Sequence, residues 1–353
     1  MIIQDLLKIV LSKKASDLHL LVNYPPVLRI DGELAPVLGT SILTKEDCQA
    51  LVFSLLSPEQ KELLIINKEV DFSFEFEINA RFRVNAYQER GRYSAALRLI
   101  PLRIPTVEEL NLPKICHSFA SLRQGFVLVV GPTGHGKSTT LASIINEINL
   151  TNAKHIVTVE DPIEYVYPNV KSIVSQREVH LDTHSWDVAL RSALREDPDV
   201  LLIGEMRDYE TMAAALTIAE TGHLVFASLH TNSCAQTIDR IVDVFPENQQ
   251  PQVRMQLSNT IEAILSIRLV PSLSGGRLPA CEIMVATSAI KNLIREGKSH
   301  QIDNIIQTSG ELGMITLENY LFDLLKDGKI SLEVAQAFSS RPEEIMRLMR
   351  GGR

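Results

Sequence analysis

Phe126-Val127-Leu128-Val129-Val130-Gly131-Pro132-Thr133-Gly134-His135-Gly136-Lys137-Ser138 is the stretch that decides the fold. Its five leading apolar residues make a short buried strand. The next eight satisfy G-x-x-x-x-G-K-[ST], and a helix-compatible stretch follows. Glycines let the backbone curl until several N–H groups point at one anion, and the helix that starts there adds its positive end. A chance glycine-rich turn does not fill eight positions between a strand and a helix. Gly131, Pro132, Thr133, Gly134, His135, Gly136, Lys137, Ser138 and Thr139 are therefore the expected phosphate cradle. Lys137 is expected to reach the β- and γ-phosphates of ATP, and Ser138 to ligate Mg²⁺. His135 fills a variable position of the pattern and reads as a tolerated substitution.

Beyond this loop, short apolar strands alternate with longer helices. Strands are expected at 156–160, 200–203 and 224–229, and helices near 186–195 and 209–220. That alternation predicts a parallel sheet with helices on its faces, an α/β fold. From about residue 250 onward the chain reads as mostly helical. The sequence contains no internal repeat and no low-complexity segment.

Carboxylates at the ends of neighbouring strands face the ligand crevice of such a sheet. Val159-Glu160-Asp161-Pro162-Ile163-Glu164 is one group, and Gly204-Glu205-Met206-Arg207-Asp208, after an apolar strand, is the other. Glu205 is placed to polarise the attacking water as general base. Glu160 and Asp161 are candidates to hold Mg²⁺ through its waters or to orient Glu205. In many NTPases an Asp follows the apolar strand directly; here Gly204 stands there. For Glu164 and Asp208, a solvated or ion-paired surface role stands beside a direct one. His223 and His230 bracket the strand at 224–229, as sensors of the γ-phosphate or as groups that only hold loops.

Before the loop, residues up to about 100 read as a small α+β unit. A helix is expected over 4–14, strands over 17–22 and 27–30, and a hairpin turn at Asp31-Gly32. Thr44 caps a helix over 45–56, with Asp47 at the capping-box position. Phe72, Phe74 and Phe76 alternate with polar residues, the period of a half-buried strand, and strands near 81–87 and 93–99 follow. Three prolines in 101–113 mark a linker. The expected division is a domain over 1–100, a linker over 101–115 and a second domain over 116–353. The end at 350–353 is expected to fray.

Two domains also suit 353 residues. The net charge of −8 repels phosphate backbones, which argues against a nucleic-acid coat or a general membrane binder. The driest runs, 126–130 and 200–203, are far shorter than the roughly 20 apolar residues of a spanning helix. No basic region leads into an apolar core at the N-terminus, so no signal peptide is expected, and the expected location is the cytoplasm. None of the four cysteines sits in a C-x-x-C pair, so no structural zinc is expected.

Residues 131–140, 159–164, 195–208 and 221–231 resemble the Walker A, Asp box, Walker B and His box of the type IV pilus and type II secretion ATPases. Ile238-Asp239-Arg240-Ile241-Val242-Asp243-Val244-Phe245-Pro246 is similar to the pilus-retraction, or twitching-motility, branch. So is Ala289-Ile290-Lys291-Asn292-Leu293-Ile294-Arg295-Glu296, although Lys291 stands where that branch usually has Arg. The resemblance implies a PAS-like N-terminal α+β domain, a RecA-like P-loop ATPase domain and a homohexameric ring. It implies ATP and Mg²⁺ as ligands, with arginines reaching the nucleotide from the N-terminal domain. Arg81, Arg83 and Arg98 are the matching positions; the sequence alone makes them strand-surface residues. It implies as partners an inner-membrane pilus platform protein and a paralogous retraction ATPase, and no nucleic acid.

Three alternatives stay open at this point. An assembly or type II secretion motor is disfavoured because the chain lacks the long N-terminal extension and four-cysteine module of those relatives. A nucleic-acid translocase is disfavoured by the acidic balance. A nucleotide-sensing subunit without hydrolysis is disfavoured by the intact Lys137, Ser138 and Glu205.

Overall fold

A computed structural model describes residues 2–30, 32–77, 80–100 and 103–351. The chain divides into two compact units, Met1–Arg103 with Pro162–Val166, and Ile104–Asp161 with Tyr167–Arg353. The mixed α/β class expected from the sequence is the class observed.

In the first unit, α1 (Ile3–Lys13) leads to β1 (Asp17–Leu20), β2 (Val27–Ile30) and β3 (Glu33–Pro36). Helices α2 (Lys45–Phe53) and α3 (Pro58–Asn67) follow, then β4 (Glu69–Phe76), β5 (Ala80–Glu89) and β6 (Arg92–Ile100). The strands form one antiparallel sheet in the order β3-β2-β1-β6-β5-β4. Helix α1 buries Ile3, Leu6, Leu7 and Val10, one stripe at helical spacing. Thr44 and Asp47 form the expected capping box: Asp47 N–H donates to Thr44 Oγ1 at 3.1 Å, and Thr44 N–H donates to Asp47 Oδ2 at 3.0 Å. Ser57 and Gln60 make a second box that starts α3, a helix the sequence pattern did not separate from its loop. Strand β4 buries Phe72 and Phe76 and half-buries Phe74. Asp31 of the expected hairpin turn, Pro101 of the expected linker and residues 352–353 of the expected frayed end lie outside the described residues.

The second unit begins with α4 (Cys116–Ala120), β7 (Gly125–Val130), α5 (Lys137–Thr151), β8 (His155–Glu160) and β9 (Ile173–Glu178). It continues with α6 (Trp186–Ala193), β10 (Val200–Ile203), α7 (Tyr209–Glu220), β11 (Leu224–Leu229), α8 (Cys234–Asp243) and α9 (Gln250–Thr260). Strands β12 (Ile261–Pro271) and β13 (Arg277–Val285) come next. Then follow α10 (Ser288–Arg295), α11 (Ile302–Thr308), α12 (Leu317–Lys326), α13 (Leu332–Phe338) and α14 (Pro342–Met349). The sheet order is β13-β12-β7-β11-β10-β8-β9, parallel except for the β12–β13 pair. Strands β7, β10 and β11 are buried at every position, as helix-covered parallel strands must be.

The stretch from about residue 250 holds the expected helices, α9 to α14, and also β12 and β13, which were not anticipated and occupy 20 residues, 11 and 9. Helix α9 passes straight into β12 at Ile261 with no glycine or proline between them. The usual boundary signal is therefore missing. Gly275 and Gly276, both with positive φ, lie in the hairpin turn that follows. Strand β9 was also not anticipated; it is an edge strand with mostly half-exposed residues. Lys291 on α10 pairs with Glu262 of β12 at 3.0 Å.

Candidate active site

The parallel strands carry their candidate groups to one end of the sheet. Strand β7 ends at Val130, and the loop from Gly131 to Gly136 turns the chain into α5. Gly131, Gly134 and Gly136 have φ of 147°, 77° and 87°. L residues rarely adopt these values, so the curl depends on glycine. A Cβ on Gly131 would also lie 2.3 Å from the Ile267 carbonyl oxygen.

Lys137 opens α5 and is buried. Its Nζ donates to Gly131 O at 2.9 Å, to Pro132 O at 3.0 Å and to His230 Nδ1 at 3.3 Å. An ammonium only donates, so Nδ1 of His230 accepts. A carboxylate only accepts, and Glu205 Oε1 lies 2.9 Å from His230 Nε2. His230 therefore carries its proton on Nε2 and joins Lys137 to Glu205. Thr133 Oγ1 sits 3.3 Å from the same Nδ1.

Glu205 follows β10 through Gly204. Gly204 N–H donates to Val159 O at 2.8 Å, and Ser228 Oγ donates to Gly204 O at 2.6 Å. Met206 N–H donates to Ser228 O at 3.0 Å. This crossing turns the Glu205 side chain toward His230 and Arg207; Arg207 Nη2 donates to its Oε2 at 2.8 Å. Burial pushes the Glu205 pKa up. Arg207 and His230 outweigh burial and hold it below the usual carboxylate value. Space beside Gly204 is tight. A Cβ there would come within 3.3 Å of Glu160 Cα and 3.4 Å of Val159 O.

Glu160 ends β8 and is buried. Its Oε1 accepts from Thr158 Oγ1 at 2.7 Å and from Gln176 Nε2 of β9 at 3.2 Å. Asp161 is exposed, and its charge helps raise the Arg207 pKa after the larger effect of Glu205. Ser138 stands next to Lys137 in the first turn of α5. The hydroxyl and carboxylate oxygens of Ser138 and Asp161 are hard donors and suit Mg²⁺, which usually takes only one or two protein ligands besides phosphate oxygens. Among the described residues no group of three or more His, Cys, Asp or Glu side chains is arranged to hold a metal by itself.

The two histidines part company: of the two roles left open for them, His223 takes the loop-holding one, and only His230 lies at the candidate site. His230 follows the last residue of β11 and joins the site. His223 precedes the first, about 20 Å away at the rise of a six-residue strand. His223 Nδ1 lies 3.1 Å from Ile218 O and 3.0 Å from Thr221 Oγ1, so it ties down the turn between α7 and β11. Asp208 caps α7 by accepting from Thr211 N–H at 2.9 Å. Glu164 lies in Pro162–Val166, which belongs to the first unit.

Within that first unit, Arg81 and Arg83 alternate on β5, and Arg83 opposes Arg98 on β6, so all three share one face. Arg81 Nη1 is 3.5 Å from Glu75, and Arg98 Nε donates to Asp17 Oδ1 at 2.8 Å. Arg83 and Arg98 line a cleft with Ile100, Pro162, Glu164 and Tyr165. Sequence reasoning missed Arg207, Ser228 and Gln176. Arg207, two residues from Glu205, was the one visible in advance.

The family model described as type II/IV secretion system protein matches residues 1–317. The type IV pilus retractation ATPase PilT of Pseudomonas aeruginosa is 47% identical over 341 residues, covering 97% of this chain and 99% of the relative. The twitching motility protein of Neisseria gonorrhoeae is 46% identical over 321 residues, 91% of this chain and 86% of that protein. A crystal structure of the pilus retraction motor PilT with bound ADP shares 46% identity and superimposes with a TM-score of 0.93, covering 98% of this chain and 99% of that one. The chain belongs to the type II/IV secretion system protein family.

Proposed function

We propose that the chain is a motor ATPase that hydrolyses ATP at residues 131–139 and uses the energy to retract type IV pili. One observation carries the chemistry: Lys137, His230 and Glu205 form a hydrogen-bonded line across the ends of β7, β11 and β10. Similarity over nearly the whole length of a retraction ATPase supports the biological role.

Glu205 is the general base, ionised at neutral pH and aimed by Arg207 and His230. Lys137 binds the β- and γ-phosphates, and His230 relays their presence to Glu205. Glu160, fixed by Thr158 and Gln176, shapes the carboxylate end of the site. Ser138 and Asp161 are the residues to hold Mg²⁺, which when bound would neutralise charge on the phosphate oxygens. Arg81, Arg83 and Arg98 act as cations from the N-terminal domain (residues 1–100), joined by a linker over 101–115 to the ATPase domain (116–353). The working form is a homohexamer at the cytoplasmic face of the inner membrane, acting on the platform protein and accompanied by a paralogous ATPase. Among the described residues no helix is long and apolar enough to cross a membrane, so membrane contact runs through the platform.

The chemistry is tested with purified protein. Lys137→Ala is expected to lose nucleotide affinity. Glu205→Gln is expected to bind ATP and to turn over about 100-fold more slowly; normal turnover removes Glu205 as the base. The role is tested by counting surface pili in a strain lacking the gene. Excess pili corrected by wild type and not by Glu205→Gln support retraction, whereas a bald cell means assembly.

A further inference from the structure

We infer that His135 is a positioning residue, which docks the phosphate loop on the β12–β13 hairpin by accepting the Leu269 N–H through Nδ1. Strand β12 pairs with β7 only as far as Ser266 opposite Val130. Its remaining residues run past the end of β7 and lie along the loop. Ile267 O abuts Gly131, the Leu269 side chain lies against Gly136, and Arg277 Nη1 reaches Gly134 O at 3.5 Å. On the β13 side, Leu269 pairs with Pro279. On the loop side, its N–H donates to His135 Nδ1 at 2.9 Å. A half-buried backbone N–H needs such an acceptor, so the hydrogen bond serves hairpin and loop together.

The bond requires a neutral imidazole with its proton on Nε2. Burial lowers the His135 pKa first, and Arg277 of β13, Arg268 of β12 and Lys137 of α5 lower it further. At neutral pH the acceptor is therefore present. When the pH falls below the ordinary histidine range and through this depressed value, protonation turns the acceptor into a donor and adds a fourth cation. The docked loop is then lost.

The inference rests on the ATP-site proposal only for what the loop binds, so the test has two readouts on the full-length protein. The first is amide exchange of residues 267–271 without nucleotide. The second is ADP affinity from pH 7.5 to 5.5. Wild type is compared with His135→Ala and with His135→Asn, whose Oδ1 accepts and cannot titrate. His135→Ala should exchange several-fold faster at 267–271 and bind ADP about fivefold more weakly, the equivalent of one net hydrogen bond. His135→Asn should restore the wild-type exchange at pH 7.5 and, at pH 5.5, lose less ADP affinity than wild type, since protonation of the ADP phosphate weakens both alike. Unchanged exchange in His135→Ala overturns the docking role. Parallel pH profiles in wild type and His135→Asn overturn the titration. If wild type binds no ADP, the ATP-site proposal fails and the exchange rates alone decide His135.

Discussion

Gly131 and Gly134 both adopt positive φ, yet they are not equivalent. A methyl group on Gly134 meets no atom within 4 Å, whereas one on Gly131 overlaps the Ile267 carbonyl at 2.3 Å. Gly134→Ala therefore carries only backbone strain, about 1 kcal/mol. Gly131→Ala adds overlap with a strand that cannot yield, and a loss of about 3 kcal/mol is expected. Denaturant unfolding of the two variants measures the difference, and equal losses would refute the close approach. The need for glycine here was legible in the motif. The reason, a strand more than 130 residues away in sequence, was not. Glu205 tells the same story: an acid after an apolar strand is visible in sequence, but its restraint by Arg207 and His230 depends on where Gly204 crosses between neighbouring strands.

Among the elements, α1 was legible from its apolar stripe, and α2 and α7 start at side-chain caps, Thr44 and Asp208. Strand β12 was not legible, because its apolar residues follow α9 without punctuation and periodicity alone cannot separate a buried strand from a buried helix. One local device follows from the geometry of α4 and α5. His117 of α4 lies 2.9 Å from Glu147 of α5 through Nδ1 and 2.9 Å from Glu108 through Nε2. The hydrogen bond to Glu147 is the main cause of its raised pKa. A raised histidine pKa stabilises the fold fully below the unfolded value and loses that effect as pH rises through the folded value. The pair is half-exposed, so solvent screens it and its worth is small. His117→Ala should lower the melting temperature by about 1–2 °C at pH 6 and by nothing measurable at pH 9. An equal shift at both pH values would show that packing, not charge, holds the clasp.

At the scale of the whole molecule, the arginines of the first unit face two demands. Arg98 is bonded to Asp17, whose side chain is only 10% exposed. Removing it leaves a carboxylate with Arg29, at 3.9 Å, as its remaining ion-pair partner among the described residues. If that structural bond is all Arg98 does, Arg98→Ala costs about 1–2 kcal/mol of stability, and residual ATPase per folded molecule stays unchanged. If Arg98 also serves hydrolysis, the rate per folded molecule falls by about 10³-fold, the scale of a lost arginine finger. Melting curves and single-turnover rates on one preparation separate the two. The sequence could place these arginines on strands; which face they share came only from the register of Arg83 against Arg98.

Residues Pro162–Val166 belong to the first unit although both flanks belong to the second. The backbone therefore changes unit after residues 103, 161 and 166, three times in one chain. A gene fragment ending at Arg103 would encode a unit with five of its residues missing, and Arg83, Arg98 and Ile100 would lose the wall that Pro162, Glu164 and Tyr165 supply. Swapping N-terminal modules between relatives by a single splice should give misfolded chimaeras, and carrying residues 162–166 along with the module should rescue them.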